Sequence, residues 1–422
     1  MNDDPNFEIE YETTPLPKVL LGREPILDRH QKLVGHEILF RSSSHEHASQ
    51  LLETTTILEH AAEAGMENLV GSGLGFITAT EAFLLSESVL FLPQKNFIII
   101  LPAVLIDQAA LVPRIAELRR MGFKFAADHL QLHDPAKAVL VPLVEVVRVV
   151  LPTPPEVLFL NTEELRTYKS AQKRLFAQHV QEVTQFEHCA QLGFDYFAGN
   201  FYTKPVFIEN KKFSASELTI MKVMELLEQD ADDSLMEQAI KQDAVIGLNV
   251  LKHVNSAAAG ARQRIGSLKQ AIQVMGRAQL KRWLQIMLYE KPGTQPSGAA
   301  LFTLATARGK LLELLAAKKL PKNKMAPDIG FIVGLMSLMD TLFGIPLADV
   351  LQKITVYNEV SLALLERKGI YGELLKLVEM LEQLAQPEPP PELLPALAEL
   401  DLALEDLYTL QQQAFMWVNQ LQ

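Results

Sequence analysis

Apolar residues change their spacing near residue 210, and no single fold class accommodates both patterns. Before that point short β-rich runs recur, at residues 33–40, 74–79, 96–101, 123–127, 146–151 and 174–180. Phe97-Ile-Ile-Ile-Leu101 is apolar at every position, as suits a strand buried on both faces of a parallel sheet. Helical stretches lie between some of these runs, at 107–121 and 182–192. Gly122 and Gly193 stand where each must end before the chain turns into a strand. Such alternation is long enough for a closed β/α barrel, although a doubly wound sheet gives the same string.

After residue 210 the pattern is helical and predicts no strand. Ser214-Ala-Ser-Glu217, Ser234-Leu-Met-Glu237 and Ser267-Leu-Lys-Gln270 all have capping-box spacing, in which serine and acid or amide side chains satisfy the first free amides. Asp243 opens a helix over 244–254, and Gly276 ends the one begun at Ser267. Leu218, Met221, Met224 and Leu227 form one apolar stripe, with the methionines as core filler. The proline-rich segment 386–395 reads as a stiff connector. It leads to a last helix over 402–421 carrying Tyr408, Phe415 and Trp417, which completes the bundle core, covers a groove or docks across to the first half. The expected organisation is α/β plus all-α: a flexible acidic tail at 1–16, a barrel at 17–210 and a helical domain at 211–422.

Composition narrows the function classes. Hydrophobic residues make up 48% of the 422, ample for two cores. Thirty-nine Lys+Arg against 51 Asp+Glu leave a net charge of −12, which argues against a broad nucleic-acid face. One cysteine, Cys189, excludes an internal disulfide framework and any multi-cysteine metal site, and points to a reducing, cytoplasmic compartment. Asp3, Asp4, Glu8, Glu10 and Glu12 precede the first base, Lys18, unlike a secretory signal. The richest apolar run, Phe331 to Met339, is too short to span a membrane.

Two motifs in the first half suggest a family. Gly22-Arg-Glu-Pro-Ile-Leu-Asp28 followed by Leu33-Val-Gly-His-Glu-Ile-Leu-Phe-Arg41 resembles the opening of an EAL domain, and the stretch from Gln191 to Pro205 resembles its closing strand. The second half is similar to an HDOD domain, on the strength of Asp243 to Ser256 and Ile265 to Gly276. The resemblance implies a TIM-like β/α barrel of the cyclic di-GMP phosphodiesterase class. A helical bundle related to the HD phosphohydrolases, and generally without their activity, would follow it.

Hydrolysis in that class requires metal-activated water, held by a cluster of carboxylates and amides. Carried over residue by residue, the resemblance puts Glu37 at a metal-ligand position and Arg41 at a phosphate-contacting one. Thr78 stands for a ligand Asn, Ile99 for a Glu, Asp128-His129 for an Asp pair and Arg148 for a Lys. Gln178 and Gln181 stand for a Glu pair, and Ala198 for the Gln before Gly199. Gln in place of a carboxylate keeps the shape and removes charge and basicity, so no general base remains. In the second half Ser337-Leu338 stands where an adjacent His-Asp pair would ligate metal. One imidazole, His253, is no dinuclear site and reads as a helix-surface residue. His45-Glu-His47, His129, His133-Asp134 and Lys318 to Lys324 read as solvated loops, and Cys189 as a small core residue. Gly71-Ser-Gly-Leu-Gly75 lacks the context of a phosphate loop.

The expectation is a non-catalytic signal-transduction protein, with Glu37, Arg41, Asp128 and Arg148 as vestiges, no cofactor and no resident metal. Its partners would be regulatory proteins bound by the helical half, with cyclic di-GMP weak or absent, no nucleic acid and no membrane span. The alternatives are a cyclic di-GMP phosphodiesterase and a non-hydrolysing cyclic di-GMP receptor.

Overall fold

A computed structural model describes residues 19–42, 66–128, 139–151, 162–207, 212–255, 265–289, 297–354, 356–385 and 390–421. The acidic tail, His45 to His47, His129 and His133-Asp134 lie outside them. Eight strands close a barrel in sequence order: β1 (Val19–Asp28), β2 (Leu33–Ser42), β3 (Leu74–Thr78), β4 (Phe97–Leu101), β5 (Lys124–Asp128), β6 (Val146–Val150), β7 (Arg174–Gln178) and β8 (Tyr196–Ala198). The doubly wound alternative is thereby excluded. From β2 to β8 every neighbouring pair is parallel, and β1 runs antiparallel to both β2 and β8.

Period-two alternation sorts each strand's side chains between the barrel interior and the surrounding helices. Phe76, Phe176 and Tyr196 meet edge to face inside, with ring centroids 5.4–6.3 Å apart, and Ile26, Ile98, Ile100, Ala126 and Val146 fill the space around them. The interior is therefore a packed core and not a pore. Ile99 points the other way, into the layer between strands and helices, so the inward residue of β4 at the mouth is Ile100. The expectation that Ile99 faces the site is corrected by one residue. Gly199 follows β8 with φ +138°, and a Cβ there would lie 2.1 Å from the Val180 carbonyl oxygen. Only glycine fits that close approach.

No strand follows Ala198 among the described residues. Ser214 caps the helix Ala215–Glu228 with a complete capping box, Ser267 caps Leu268–Met275, and Asp243 caps Ala244–Val254. Ser234 is not a cap. The Asp232 carboxylate accepts from the Ser234 amide, and the helix Asp233–Lys241 begins one residue before Ser234. Aspartate at a cap competes as well as serine and here comes first along the chain. Leu218 is also corrected: it is exposed, while Ile220 and Val223 join Met221, Met224 and Leu227 in the core. The connector is partly helical, because Leu393–Glu399 forms about two helical turns that include Pro395; residues 386–389 lie outside the described set.

The long helix Gly298–Lys319 crosses Ala326–Met336 closely enough that a Cβ on Gly334 would sit 2.5 Å from the backbone of Arg308 and Gly309. The last helix, Leu404–Asn419, serves both halves. Trp417 meets Phe331 edge to face at 6.0 Å, with the Arg282 guanidinium over both rings. From the same helix Gln411 Nε2 donates to the Leu21 carbonyl of β1 at 2.5 Å, and Asn419 Oδ1 accepts from Arg23 at 2.8 Å. Of the three expected roles, core completion and docking to the barrel both hold. A single apolar cluster runs through the two halves.

Candidate functional site

The polar layer at the barrel mouth is built by strand ends. The register sets Asp128 of β5 opposite Arg148 of β6, and Glu24 of β1 opposite Glu37 of β2. Arg148 is buried and forks onto Asp128, with Nε 2.5 Å from Oδ1 and Nη2 2.9 Å from Oδ2. Its remaining nitrogen, Nη1, donates to Glu37 Oε1 at 2.9 Å. Thr78 Oγ1 donates to the same Glu37 oxygen at 3.3 Å, and Gln178 Nε2 donates to Oε2 at 3.3 Å. Three of the four predicted site residues, Glu37, Asp128 and Arg148, thus meet in one network, with Thr78 and Gln178.

Burial disfavours the Arg148 cation, but Glu37 and Asp128 more than offset this and hold it charged, above its ordinary pKa. Every oxygen of the two carboxylates is engaged by an N–H or O–H donor. Arg148 holds three of these four oxygens, the kind a hard divalent cation takes as ligands, and Gln178 holds the fourth, Glu37 Oε2. Among the described residues no group of three His, Cys, Asp or Glu side chains is placed to hold a metal ion. Gln181 is not in this layer: it follows β7, where its backbone amide donates to Gln185 Oε1 at 2.8 Å.

Two members of the mouth escaped the sequence reading. Glu24 is buried, and burial together with repulsion from Glu37 pushes its pKa up to about 8 against the pull of Arg148. Its Oε2 makes no hydrogen bond among the described residues. Two-residue spacing from the apolar Ile26 would have placed Glu24 inward. His179, just past β7 with φ +62°, sets Nε2 2.9 Å from the Ala385 carbonyl, and burial lowers its pKa. Arg41, the fourth predicted residue, also turns to the helical half, where its Nε donates to the Leu384 carbonyl at 3.1 Å. The turn Glu382–Ala385 therefore rests on the mouth edge.

In the helical half Ser337-Leu338 lies not within a helix but at the break between Ala326–Met336 and Met339–Phe343. Ser337 Oγ accepts from Arg308 Nη1 at 2.9 Å and donates to the Gly334 carbonyl at 2.7 Å. Arg308 forks onto Glu382 at 2.6 and 2.7 Å. Burial opposes the Arg308 charge and Glu382 restores it, so the guanidinium stays charged. His253 is exposed on its helix beside Trp283, with ring centroids 5.6 Å apart. Cys189 is fully buried, and burial pushes its thiol up to about 12, which leaves it unreactive. No helix among the described residues is long and apolar enough to cross a membrane.

Residues 216–357 match the HDOD domain, and both stretches that suggested it fall inside that span. The chain is 26% identical over 380 residues to YuxH of Bacillus subtilis, covering 86% of this chain and 91% of that one. It is 22% identical over 375 residues to the cyclic di-GMP phosphodiesterase CdgJ of Vibrio cholerae, covering 86% and 84%. The barrel resembles a solved EAL domain protein from Listeria monocytogenes, at 14% identity and a TM-score of 0.36, over 44% of this chain and 87% of that one.

Proposed function

We propose that this chain is a cyclic di-GMP-class signalling protein that does not hydrolyse the nucleotide and acts by binding regulatory proteins. The observation that carries the reading is Arg148, whose guanidinium occupies the space between Glu37 and Asp128 where a metal would have to bind. Expelling it would leave a buried cation without its partners, at a cost of about 3–5 kcal/mol. Gln178, an amide at the expected base position, removes the group that would deprotonate water. Ile100 and Ala198 add apolar surface to the mouth layer. Protein binding falls to the helical half, which exposes Leu218, Leu235, Val245, Leu248 and Val274 on its first four helices. The buried lone cysteine suits a cytoplasmic protein.

Incubation of the full chain with cyclic di-GMP and Mg²⁺ or Mn²⁺ should give no product, and calorimetry should give weak binding or none. A second reading, a phosphodiesterase, is favoured by the similarity to CdgJ. Metal-dependent turnover abolished by Glu37→Ala would establish it. Sub-micromolar binding without turnover would establish a receptor instead.

A further inference from the structure

Between Ala244 and Tyr289 the chain holds no aspartate or glutamate, although 51 of its 422 residues are acidic. Seven lysines and arginines fall in the same stretch, of which Arg262 and Arg264 lie outside the described residues. Three of the others are spent on acids from elsewhere. Arg277 pairs with Asp230 and Asp233, Lys281 with Glu228, and Arg282 with Glu313. Lys252 and Lys269 are exposed and enter no ion pair among the described residues.

Lys252 belongs to the helix Ala244–Val254, which is apolar on two sides. Ile246, Gly247, Val250 and Val254 are buried, with Gly247 close against Leu268 of the next helix. Val245, Leu248 and Lys252 follow one another at three- and four-residue spacing on the opposite side. All three are exposed, Val245 by 65% and Leu248 by 53%. A helix that buries one stripe ordinarily turns polar residues to water on the other. Here the outward stripe is two aliphatic side chains and an unpaired cation. One position further on, His253 meets the half-buried Trp283 of the helix Arg277–Met287, with ring centroids 5.6 Å apart. Asp243, at the start of the helix, gives its carboxylate to the amides of Val245 and Ile246.

We propose, resting on the reading that the helical half binds proteins, that this stripe docks an amphipathic helix of the partner, apolar along its centre and acidic along its flanks. The spacing gives the shape. Side chains at i, i+3 and i+7 form the ridge that one helix offers to the groove of another. The charge gives the sign. An acidic flank meets Lys252 and Lys269 with no carboxylate of the helices Ala244–Val254, Leu268–Met275 and Arg277–Met287 to repel it. Val245 and Leu248 supply the affinity, because charges at a rim steer and select more than they hold. Two unpaired lysines are too few to hold a nucleic-acid backbone or an anionic membrane against a net charge of −12.

The test is calorimetric titration of the full chain with a synthetic helix of about four turns, leucines along one face and glutamates beside them. Saturable binding is expected, weakened about tenfold or more in Leu248→Asp and about threefold or more in Lys252→Glu. The same peptide with lysines in place of glutamates should bind about tenfold more weakly than the acidic one. Both substitutions fall at exposed positions, and unchanged urea midpoints check the fold; Val245→Ser takes the place of Leu248→Asp if its midpoint moves. The proposal is overturned if the acidic peptide does not bind, if the basic one binds as well, or if the folded variant binds the acidic peptide like the parent. Sedimentation with phosphatidylglycerol vesicles, or self-association, that Leu248→Asp abolishes would also overturn it, by giving the stripe to a membrane or to a second copy. The wider reading of a protein-binding helical half survives these failures, and falls if cross-linking of the full chain in cells yields no protein adduct on that half.

Discussion

Glu24 should make this protein lose stability as pH rises, and Glu24→Gln should abolish that loss. The carboxyl has an ordinary pKa of 4.5 and is pushed up to about 8 in the folded chain by burial and by Glu37. The folded state therefore holds a proton that the unfolded state releases between those values. Stability falls as pH rises wherever the native state binds more protons, so the penalty grows from 4.5 and levels off above 8. Between about pH 5 and about pH 9 the difference amounts to roughly 4 kcal/mol, an upper figure because buried carboxyls relax towards water. Glutamine keeps the shape and the neutral form at every pH. Near pH 5 the variant should match the parent to within the roughly 1–3 kcal/mol cost of placing an amide in an imperfectly paired site. Near pH 9 it should exceed the parent by a few kcal/mol relative to that baseline. Urea unfolding of both proteins across this range gives the difference directly, with other titrating groups cancelling. A parent-to-variant difference that stays flat with pH would refute the reasoning, since Glu24 would then be ionised in the folded state.

Replacing Arg148 by Met should destabilise the chain by roughly 3–5 kcal/mol near neutral pH, because Glu37 and Asp128 lose the cation that compensates them. Urea unfolding of parent and variant near neutral pH measures the loss, and an unchanged midpoint would contradict it. Removing residues 396–422 takes away Gln411, Asn419 and Trp417, so the barrel should lose its cooperative melt together with the helices. Calorimetric melting that retains one sharp transition at the parent temperature would contradict that.

What could be read from the sequence depended on whether a pattern was local. Phe97 to Leu101 was legible as a strand because every position is apolar, but the same uniformity hid which residues face inward. Alternation carries that information, and an all-apolar run has none, so Ile99 was mistaken for Ile100. β1 gave the opposite difficulty. Gly22, Arg23, Glu24 and Pro25 look unlike a strand, yet the antiparallel ladder to β2 runs through them. Glu37, Asp128 and Arg148 were found by their positions in motifs. Their meeting was not, since an ion triad from β2, β5 and β6 is fixed by barrel closure and leaves no trace in local spacing. Arg23 and Arg308 were missed for the same reason: both are ordinary surface residues until the other half of the chain covers them.

The close fit between the halves changes how each can work. The turn Glu382–Ala385 presents the Leu384 and Ala385 carbonyls to Arg41 and His179, two residues at the edge of the mouth. On the same side Thr341 Oγ1 donates to the Thr203 carbonyl at 2.7 Å, and Arg308 holds Glu382, the first residue of that turn. A ligand entering the mouth and recruiting Arg41 would have to take it from Leu384, and burial already lowers the pKa of that guanidinium. The exchange is reciprocal, because whatever ligand favours a released Arg41 must favour a displaced turn by the same free energy. The helical half and the mouth are therefore joined through side chains that any occupant of the mouth would contest. A partner bound to the helices and an anion at the mouth cannot be energetically independent unless the turn stays in place under both.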